Sequence, residues 1–416
     1  MNLSLFGEKL VEPSGILVLM DDLGKALAGS RETIMLGGGN PAHIPMMEDV
    51  FLQQMQQITA DRQKFSTMIG DYDSPQGYEE FCRAYADFLR KKYNWPVTEK
   101  NIALTNSSQT ASFMLFNMFA GKCKNGIQKK ILLPLAPEYI GYTNIGLSDN
   151  FFKSFRPLID NYSDNRFKYF IDFDSWQIDD EIGAICLSRP TNPTGNVITD
   201  EELAHIDKSA KEREVPLIID NAYGAPFPSL IYENANITWN ENIILCNSLS
   251  KIGLPAARTG IIVAREEIID AIAKMNAIIS LAPGHIGPFL LMNLLGNDEI
   301  SRLSQDIIKP FYEKKMHKAV DEIDKTFAGC DYALHKPEGA FFLWLWLKDM
   351  KISSQQLYER LKERGVLIVP GEYFFPGLDE EWDHKNECIR ITFAQNDDLV
   401  AQGIQIIAAE YKKARK

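Results

Sequence analysis

The sequence predicts an α/β protein: a large domain on a mainly parallel sheet flanked by helices, followed by a smaller α+β domain. Three observations predict it. Between about residues 100 and 280 short apolar runs alternate with segments of helical spacing, the signature of strand–helix–strand units. Polar clusters follow five of those apolar runs, at the carboxyl ends where such sheets hold ligands. Beyond residue 330 the pattern changes to an aromatic strand with shorter strands and helices around it. The 416 residues also exceed the ~250–300 over which one core keeps growing. The expected division is an arm over 1–45, a large domain over 46–295 and a small domain over 296–416.

Residues 1 to about 45 read as irregular and end in Leu36-Gly37-Gly38-Gly39-Asn40-Pro41. Three glycines before Asn-Pro disfavour a helix and let backbone approach a partner closely. The apolar run Gly15–Leu19 in this arm is expected to bury against a pocket. Glu48–Ile58 and Gly77–Tyr93 have helical spacing, separated by a turn, Asp71 to Gly77, that carries Tyr72. Asn101–Thr105 is a strand that enters Asn106-Ser107-Ser108-Gln109-Thr110, and Ala111–Ala120 is a buried helix whose start is capped by those hydroxyls and attracts anions. Lys129–Leu135 leads to Ala136-Pro137-Glu138-Tyr139, and Gly183–Ser188 opens into Arg189-Pro190-Thr191-Asn192. Thr199 with Glu202 forms a capping box for the next helix. Val215–Ile219 ends at Asp220, with Tyr223 three residues on; Asn242–Cys246 ends in Asn247-Ser248-Leu249-Ser250-Lys251, with Arg258 beyond. Thr259–Ala264 is a strand and Glu266–Ile279 a helix. After a helical region over Asp298–Phe327 come the aromatic strand Ala340–Leu347, a helix at Ser354–Arg364, strands Val366–Val369 and Cys388–Phe393, and a C-terminal helix.

Composition narrows the function. A chain 45% hydrophobic and 24% charged is globular, and a net charge of −12 argues against nucleic acid or an anionic membrane as partner. The six cysteines are widely spaced with no CxxC pair, which points to free thiols and a cytoplasmic location. No segment has the length and apolarity of a membrane span or a secretory leader. The glycine run follows a three-residue apolar stretch and is ended by Asn40-Pro41, so it is not a dinucleotide-binding loop.

The polar clusters suit one small molecule. A lysine at the end of a buried strand has a lowered pKa and serves as an amine nucleophile. An aspartate, a stacking aromatic and an anion cradle complete what pyridoxal 5'-phosphate requires. Lys251 is the amine, Asp220 the carboxylate for the ring nitrogen, Tyr223 and Asn192 the donors near the ring oxygen, and Tyr139 the stacking ring. Ser107, Ser108, Gln109, Ser248, Ser250 and Arg258 are the phosphate candidates, with Ser250 equally suited to supporting the turn.

These segments resemble a known family. SRPTNPTG (188–195), DNAYG (220–224) and SLSK (248–251) with the following arginine, together with YDSPQG (72–77), PEGAFFLW (337–344) and RITF (390–393), are similar to the class I and II aminotransferases of pyridoxal phosphate fold type I. LGGGNPA, APEYIGY (136–142), LSRPTNPTGNVITDEEL (187–203) and SLAPGHIGP (280–288) resemble the branch that exchanges amino groups between valine and pyruvate. The resemblance implies an enzyme acting on amino acids and 2-oxo acids, with L-valine or L-alanine as donor. It makes Lys251 the base that moves the Cα proton, Arg390 the clamp for the substrate carboxylate, and Gly39 a backbone contact there. Tyr72 would reach the phosphate of a neighbouring subunit, which implies a homodimer with shared sites. Other reactions of the same fold, an aromatic or kynurenine-type aminotransferase or a β-lyase, are the alternatives, with a non-catalytic regulator more remote. Where relatives carry glycine this chain has Ser107, so an ordinary φ is expected there.

Overall fold

The large sheet places the carboxyl ends of its parallel strands along one edge. In spatial order its strands are Gly121–Lys122, Gln128–Leu133, Ile182–Ser188, Leu217–Asp220, Ile243–Ser248, Gly260–Val263 and Ile102–Thr105, with Phe152–Ser154 also pairing Gln128–Leu133. Pairing is parallel from Phe152–Ser154 through Ile243–Ser248; Gly260–Val263 is antiparallel to both neighbours, and Gly121–Lys122 to its one. This is a computed structural model that describes residues 2–12, 15, 17, 21, 22, 24 and 33–415.

Both faces of this sheet are covered because its central strands carry apolar residues on both faces along most of their length. Successive side chains of a strand point to opposite faces, and here they enter two different cores. Ile131, Leu133, Ala184, Cys186, Ile218, Ile244 and Ile262 pack with Ala111 and Leu115 of helix Ser108–Phe119 and Ile268 and Ile272 of helix Glu266–Ile279. Leu132, Ile185, Leu187, Leu217, Ile219, Leu245 and Val263 face the other way, toward Phe81 and Tyr85 of helix Glu79–Tyr93 and Leu203 and Ile206 of helix Asp200–Glu212. The capping box read from Thr199 and Glu202 is formed.

A second sheet has six strands, in the order Val369–Pro370, Cys388–Thr392, Phe342–Leu347, Tyr332–His335, Arg166–Phe170, Leu158–Tyr162. Its last two strands come from the middle of the chain, so sheet membership does not follow a division at residue 295. The arm joins this unit: Ile34–Met35 pairs in parallel with Val366–Leu367.

Several local expectations are corrected. The arm is not irregular throughout: Leu5–Val11 is a helix, and Ser4 caps it by accepting from Gly7 N–H at 3.2 Å. Arg62–Gly70, passed over in the sequence, is a helix capped by Asp61, whose carboxylate accepts from the N–H groups of Gln63 and Lys64. The single helical region at 298–327 is Glu299–Leu303, a π-helical turn over Ser304–Ile308, and then Lys309–Thr326. The hairpin Leu158–Tyr162 and Arg166–Phe170 was also missed. Its Lys168 is buried and ion-paired with Glu338, and also donates to Asn196 Oδ1 at 2.8 Å and the Val197 carbonyl at 3.0 Å.

Ser107 departs most from expectation. Its φ is +114°, not an ordinary value. Serine is held there by its hydroxyl, which accepts from Thr110 N–H at 3.2 Å to cap helix Ser108–Phe119, and by Thr105 Oγ, which donates to its carbonyl at 2.9 Å. Gly260 lies against the same turn, where a Cβ would come within 2.6 Å of the Ser107 carbonyl carbon.

The two sheets meet where Gly195, at φ +72°, faces Gly339: a Cβ on Gly195 would lie 2.6 Å from the Gly339 carbonyl oxygen, and one on Gly339 2.6 Å from Pro190. Gly195→Ala is expected to cost about 1–3 kcal/mol from its backbone conformation alone, read as a lowered midpoint in urea denaturation. An unchanged midpoint would show that the two backbones can move apart.

Candidate active site

The strand ends enclose a cavity of about 440 Å³ lined, among others, by Gly39, Tyr139, Asn192, Asp220, Tyr223, Lys251 and Arg390. Lys251 lies in the 3-10 turn Ser250–Ile252 that follows strand Ile243–Ser248. Its ammonium donates to the Gly39 carbonyl at 2.8 Å and stands 5.4 Å from the centroids of both Tyr223 and Phe341. Burial, then the positive charge of Arg390, lower its pKa to about 8, and Asp220 opposes the shift. The result is an amine partly neutral near physiological pH.

Asp220 ends the neighbouring strand, one carboxylate oxygen accepting from Ala222 N–H at 3.0 Å and the other from the Tyr142 hydroxyl at 2.8 Å. Burial raises its pKa while those two hydrogen bonds and Lys251 lower it. It is the one carboxylate among the described lining residues, which also carry the cations Lys251, Arg258 and Arg390. An acidic chain thus has a site with a positive excess, suited to a ligand bearing more than one anionic group.

Arg390 comes from strand Cys388–Thr392 of the second sheet. Its Nη1 donates to Asn192 Oδ1 at 2.8 Å and its Nη2 to the Gly37 carbonyl at 2.6 Å, and its guanidinium lies 4.3 Å from the Phe342 ring centroid. Its Nε is buried without a hydrogen-bond partner. A buried guanidinium with an unsatisfied donor fits a carboxylate ligand, since leaving that donor unpaired is costly.

Ser108 and Gln109 begin a twelve-residue helix, and with Ser248 and Arg258 they also line the cavity. Backbone N–H groups, hydroxyls and a guanidinium at a helix start form a phosphate cradle. Gln109 also donates to the Gly141 carbonyl at 2.7 Å. Gly141 is required there, because a Cβ would strike the Tyr139 ring at 2.3 Å. Tyr139 packs edge-to-face with Tyr142, the ring centroids 5.3 Å apart.

The structure brings most of the sequence-predicted residues to one cavity, with two exceptions. Ser107 does not line it; its hydroxyl is engaged in capping. Tyr72 is 86% exposed and stands outside it. Ser250 lines the cavity, while its N–H donates to Ser248 Oγ at 3.2 Å. Of the apolar run Gly15–Leu19, Ile16, Val18 and Leu19 lie outside the described residues and Leu17 is exposed; Gly24, further along the arm, lines the cavity. Tyr142, Ser188 and Glu138 were missed. A signal existed for Tyr142, since three residues is one turn of the 3-10 helix that follows Tyr139.

The profile of the family described as aminotransferase class I and II matches residues 44–407. The chain belongs to this family. Its members use pyridoxal phosphate, and the lowered lysine, the buried aspartate and the cradle fit that group. The chain is 49% identical over 414 residues to the valine–pyruvate aminotransferase of Escherichia coli strain K12, covering 100% of this chain and 99% of that protein. It superposes on a putative amino-acid aminotransferase from Psychrobacter arcticum 273-4 with a TM-score of 0.97 at 46% identity, over 100% of this chain and 99% of the other. For a valine–pyruvate aminotransferase from Salmonella typhimurium LT2 the values are 0.88 and 48%, over 96% and 99%. Among the described residues no group of His, Cys, Asp or Glu side chains is arranged to hold a metal ion, no helix is long and apolar enough to cross a membrane, and all six cysteines are free.

The charges around Lys251 make its titration testable. In the cofactor-free protein, labelling of Lys251 by an amine reagent is expected to rise with a midpoint near pH 8. Arg390→Gln removes a cation that disfavours the ammonium, so the midpoint should move upward. Asp220→Asn removes the opposing anion and should move it downward. Unshifted midpoints in both variants would refute this electrostatic account.

Proposed function

We propose that this aminotransferase moves the amino group between L-valine or L-alanine and 2-oxo acids, with valine and pyruvate as the leading pair, by a ping-pong reaction on pyridoxal 5'-phosphate. One observation carries the choice of substrate. Of the cations among the described lining residues, Lys251 and Arg258 belong with the cofactor, and Arg390 is left for a substrate carboxylate. Met35, Gly38, Ile140 and Pro190 add apolar and small surface to the lining, which suits a short aliphatic side chain. The full-length similarity to valine–pyruvate aminotransferases supports the same reading.

When bound, pyridoxal phosphate supplies an aldehyde that condenses with amines and a ring that accepts the electrons released at Cα. The chain does the rest. Ser108, Gln109, Ser248 and Arg258 would hold the cofactor's phosphate and Tyr139 would stack on its ring. Asp220, fixed by Tyr142 and Ala222 N–H, would pair with the pyridine nitrogen and keep it protonated. Asn192 and Tyr223 would serve the ring oxygen. Arg390, with backbone from Gly37 to Gly39 beside it, binds the α-carboxylate of amino and oxo acid alike, so one site serves both half-reactions. Lys251 Nζ, as the neutral amine, would take the proton from Cα and hold it for return, which its flexible stem permits.

We infer a homodimer with shared sites. Phe65, Ile69, Tyr72, Ile278, Ile279, Leu281 and Ile286 are exposed. Their segments are tied together by Asn106 Nδ2 to Ser280 Oγ at 3.1 Å, Gly284 N–H to Asn106 Oδ1 at 3.0 Å, and His285 beside Asp73 at 3.4 Å. Exposed apolar side chains on segments held together this way support an interface, and these segments carry the tyrosine that would reach a partner's phosphate.

A donor–acceptor screen on the purified protein with added cofactor should give valine with pyruvate the highest kcat/KM; preference for kynurenine or an aromatic donor would overturn the assignment. Lys251→Ala should reduce turnover by at least about 10²–10⁴-fold. Sedimentation should show a dimer, and Tyr72→Phe should weaken cofactor binding by about 0.5–1.5 kcal/mol. A monomer with full activity would refute shared sites.

A further inference from the structure

A buried carboxylic acid with no role in the reaction above stands behind Asp220. Glu138 is 1% exposed. Its Oε1 accepts from Ser188 N–H at 2.8 Å; its Oε2 accepts from Ser188 Oγ at 2.7 Å and Tyr139 N–H at 3.2 Å. Ser188 Oγ is 3.3 Å from the Tyr142 hydroxyl, which donates to Asp220 at 2.8 Å. Two carboxylates are therefore joined through two hydroxyls, across three oxygen–oxygen contacts and with no water required.

Counting protons shows what this chain can do. With both carboxylates charged, Ser188 donates to Glu138 and Tyr142 donates to Asp220. Each hydroxyl has one proton, so none lies between the two hydroxyl oxygens. One added proton on Glu138 Oε2 lets Ser188 turn toward Tyr142 and completes all three links. The same proton on Asp220 completes them in the opposite sense. Passing it from Asp220 to Glu138 moves one proton across each contact, every hydroxyl giving one and receiving one. Two ends that share a proton this way titrate as a pair.

We propose that Glu138 is a positioning residue for the cofactor: through Ser188 and Tyr142 it holds the proton that Asp220 would otherwise carry, leaving Asp220 ionised against the pyridine nitrogen. This rests on the assignment of Asp220 to that nitrogen. The surroundings support it. The groups facing Glu138 are Asp220 from strand Leu217–Asp220, Cys186 from Ile182–Ser188, and Tyr142 from the 3-10 turn; the Gly371–Phe374 turn meets it through the Phe374 carbonyl, which accepts from Glu138 N–H at 2.8 Å. Among the described residues no cation is ion-paired with it. Two buried anions without a cation between them disfavour the doubly charged state. Burial pushes the Glu138 carboxyl up to about 7, against the hydrogen bonds from Ser188 and Tyr139 N–H.

The test follows the NMR shift of an isotope-labelled pyridine nitrogen in the holoenzyme as a function of pH. In the wild type the nitrogen should be protonated, with its shift showing an inflection near pH 7 as Glu138 ionises. Glu138→Gln keeps the shape but cannot ionise, and Tyr142→Phe cuts the chain while leaving both carboxylates. Both should lose the inflection with the cofactor still bound; if Glu138→Gln does not fold, Tyr142→Phe decides. An inflection that survives in either folded variant, or is missing from the wild type, overturns the proposal. A nitrogen unprotonated at every pH would instead overturn the reading of Asp220 on which it rests.

Discussion

The burial of Asp220 is the constraint on which the site depends. A carboxylate at the end of a fully apolar strand costs free energy unless it is hydrogen-bonded and faces a cation. Ala222 N–H and Tyr142 supply the hydrogen bonds, and Lys251 supplies a nearby positive charge whose own pKa burial has lowered. The two groups restrain each other. A protonated ring nitrogen in the same cavity would satisfy Asp220 more fully than Lys251 does, which frees the lysine to act as an amine.

Around that pair the architecture collects charge that no single strand could hold. Asp220 ends one strand and Lys251 lies in the turn just after the adjacent parallel strand, and the pairing of Cys246 with Asp220 sets how close the two strand ends lie. Arg390 reaches the cavity from another sheet, and it is anchored to the first by Asn192 and to the arm by Gly37. Nearby, Gly195 against Gly339 and the buried pair of Lys168 with Glu338 fasten the Asn192 loop to the second sheet. The arginine proposed for the substrate carboxylate and the cradle proposed for the phosphate thus sit on parts of the fold that must dock correctly to share one cavity.

Much of this was legible in the chain. Apolar strands that stop at a hydroxyl, an aspartate or a lysine announce both the sheet and its active edge, because an unpaired polar group is not tolerated deeper inside. The capping box at Thr199 and the helix Glu266–Ile279 were readable for the same local reason: their determinants lie within one turn. The hairpin at 158–170 was not, since Lys168 is buried by a partner 170 residues away and reads locally as a surface residue. Ser107 was misread because the rule for positive φ concerns the backbone alone. Here a hydroxyl that caps the following helix, and a glycine on the neighbouring strand, hold serine in a glycine conformation.

By itself the sequence determined the sheet and pointed to Lys251, Asp220, the Ser108–Gln109 helix start and Arg390, residues that line one cavity, since each follows from short-range patterning or a matched motif. Tertiary structure alone decided how they act together. It put Arg390 beside Asn192, lowered the Lys251 amine by burial and by the charge of Arg390, and linked Glu138 to Asp220 through two hydroxyls. Such effects depend on distance and on exclusion of water, and residues such as Asp220 and Glu138, 82 positions apart in the chain, share a hydrogen-bonded chain only after the strands that carry them pack side by side.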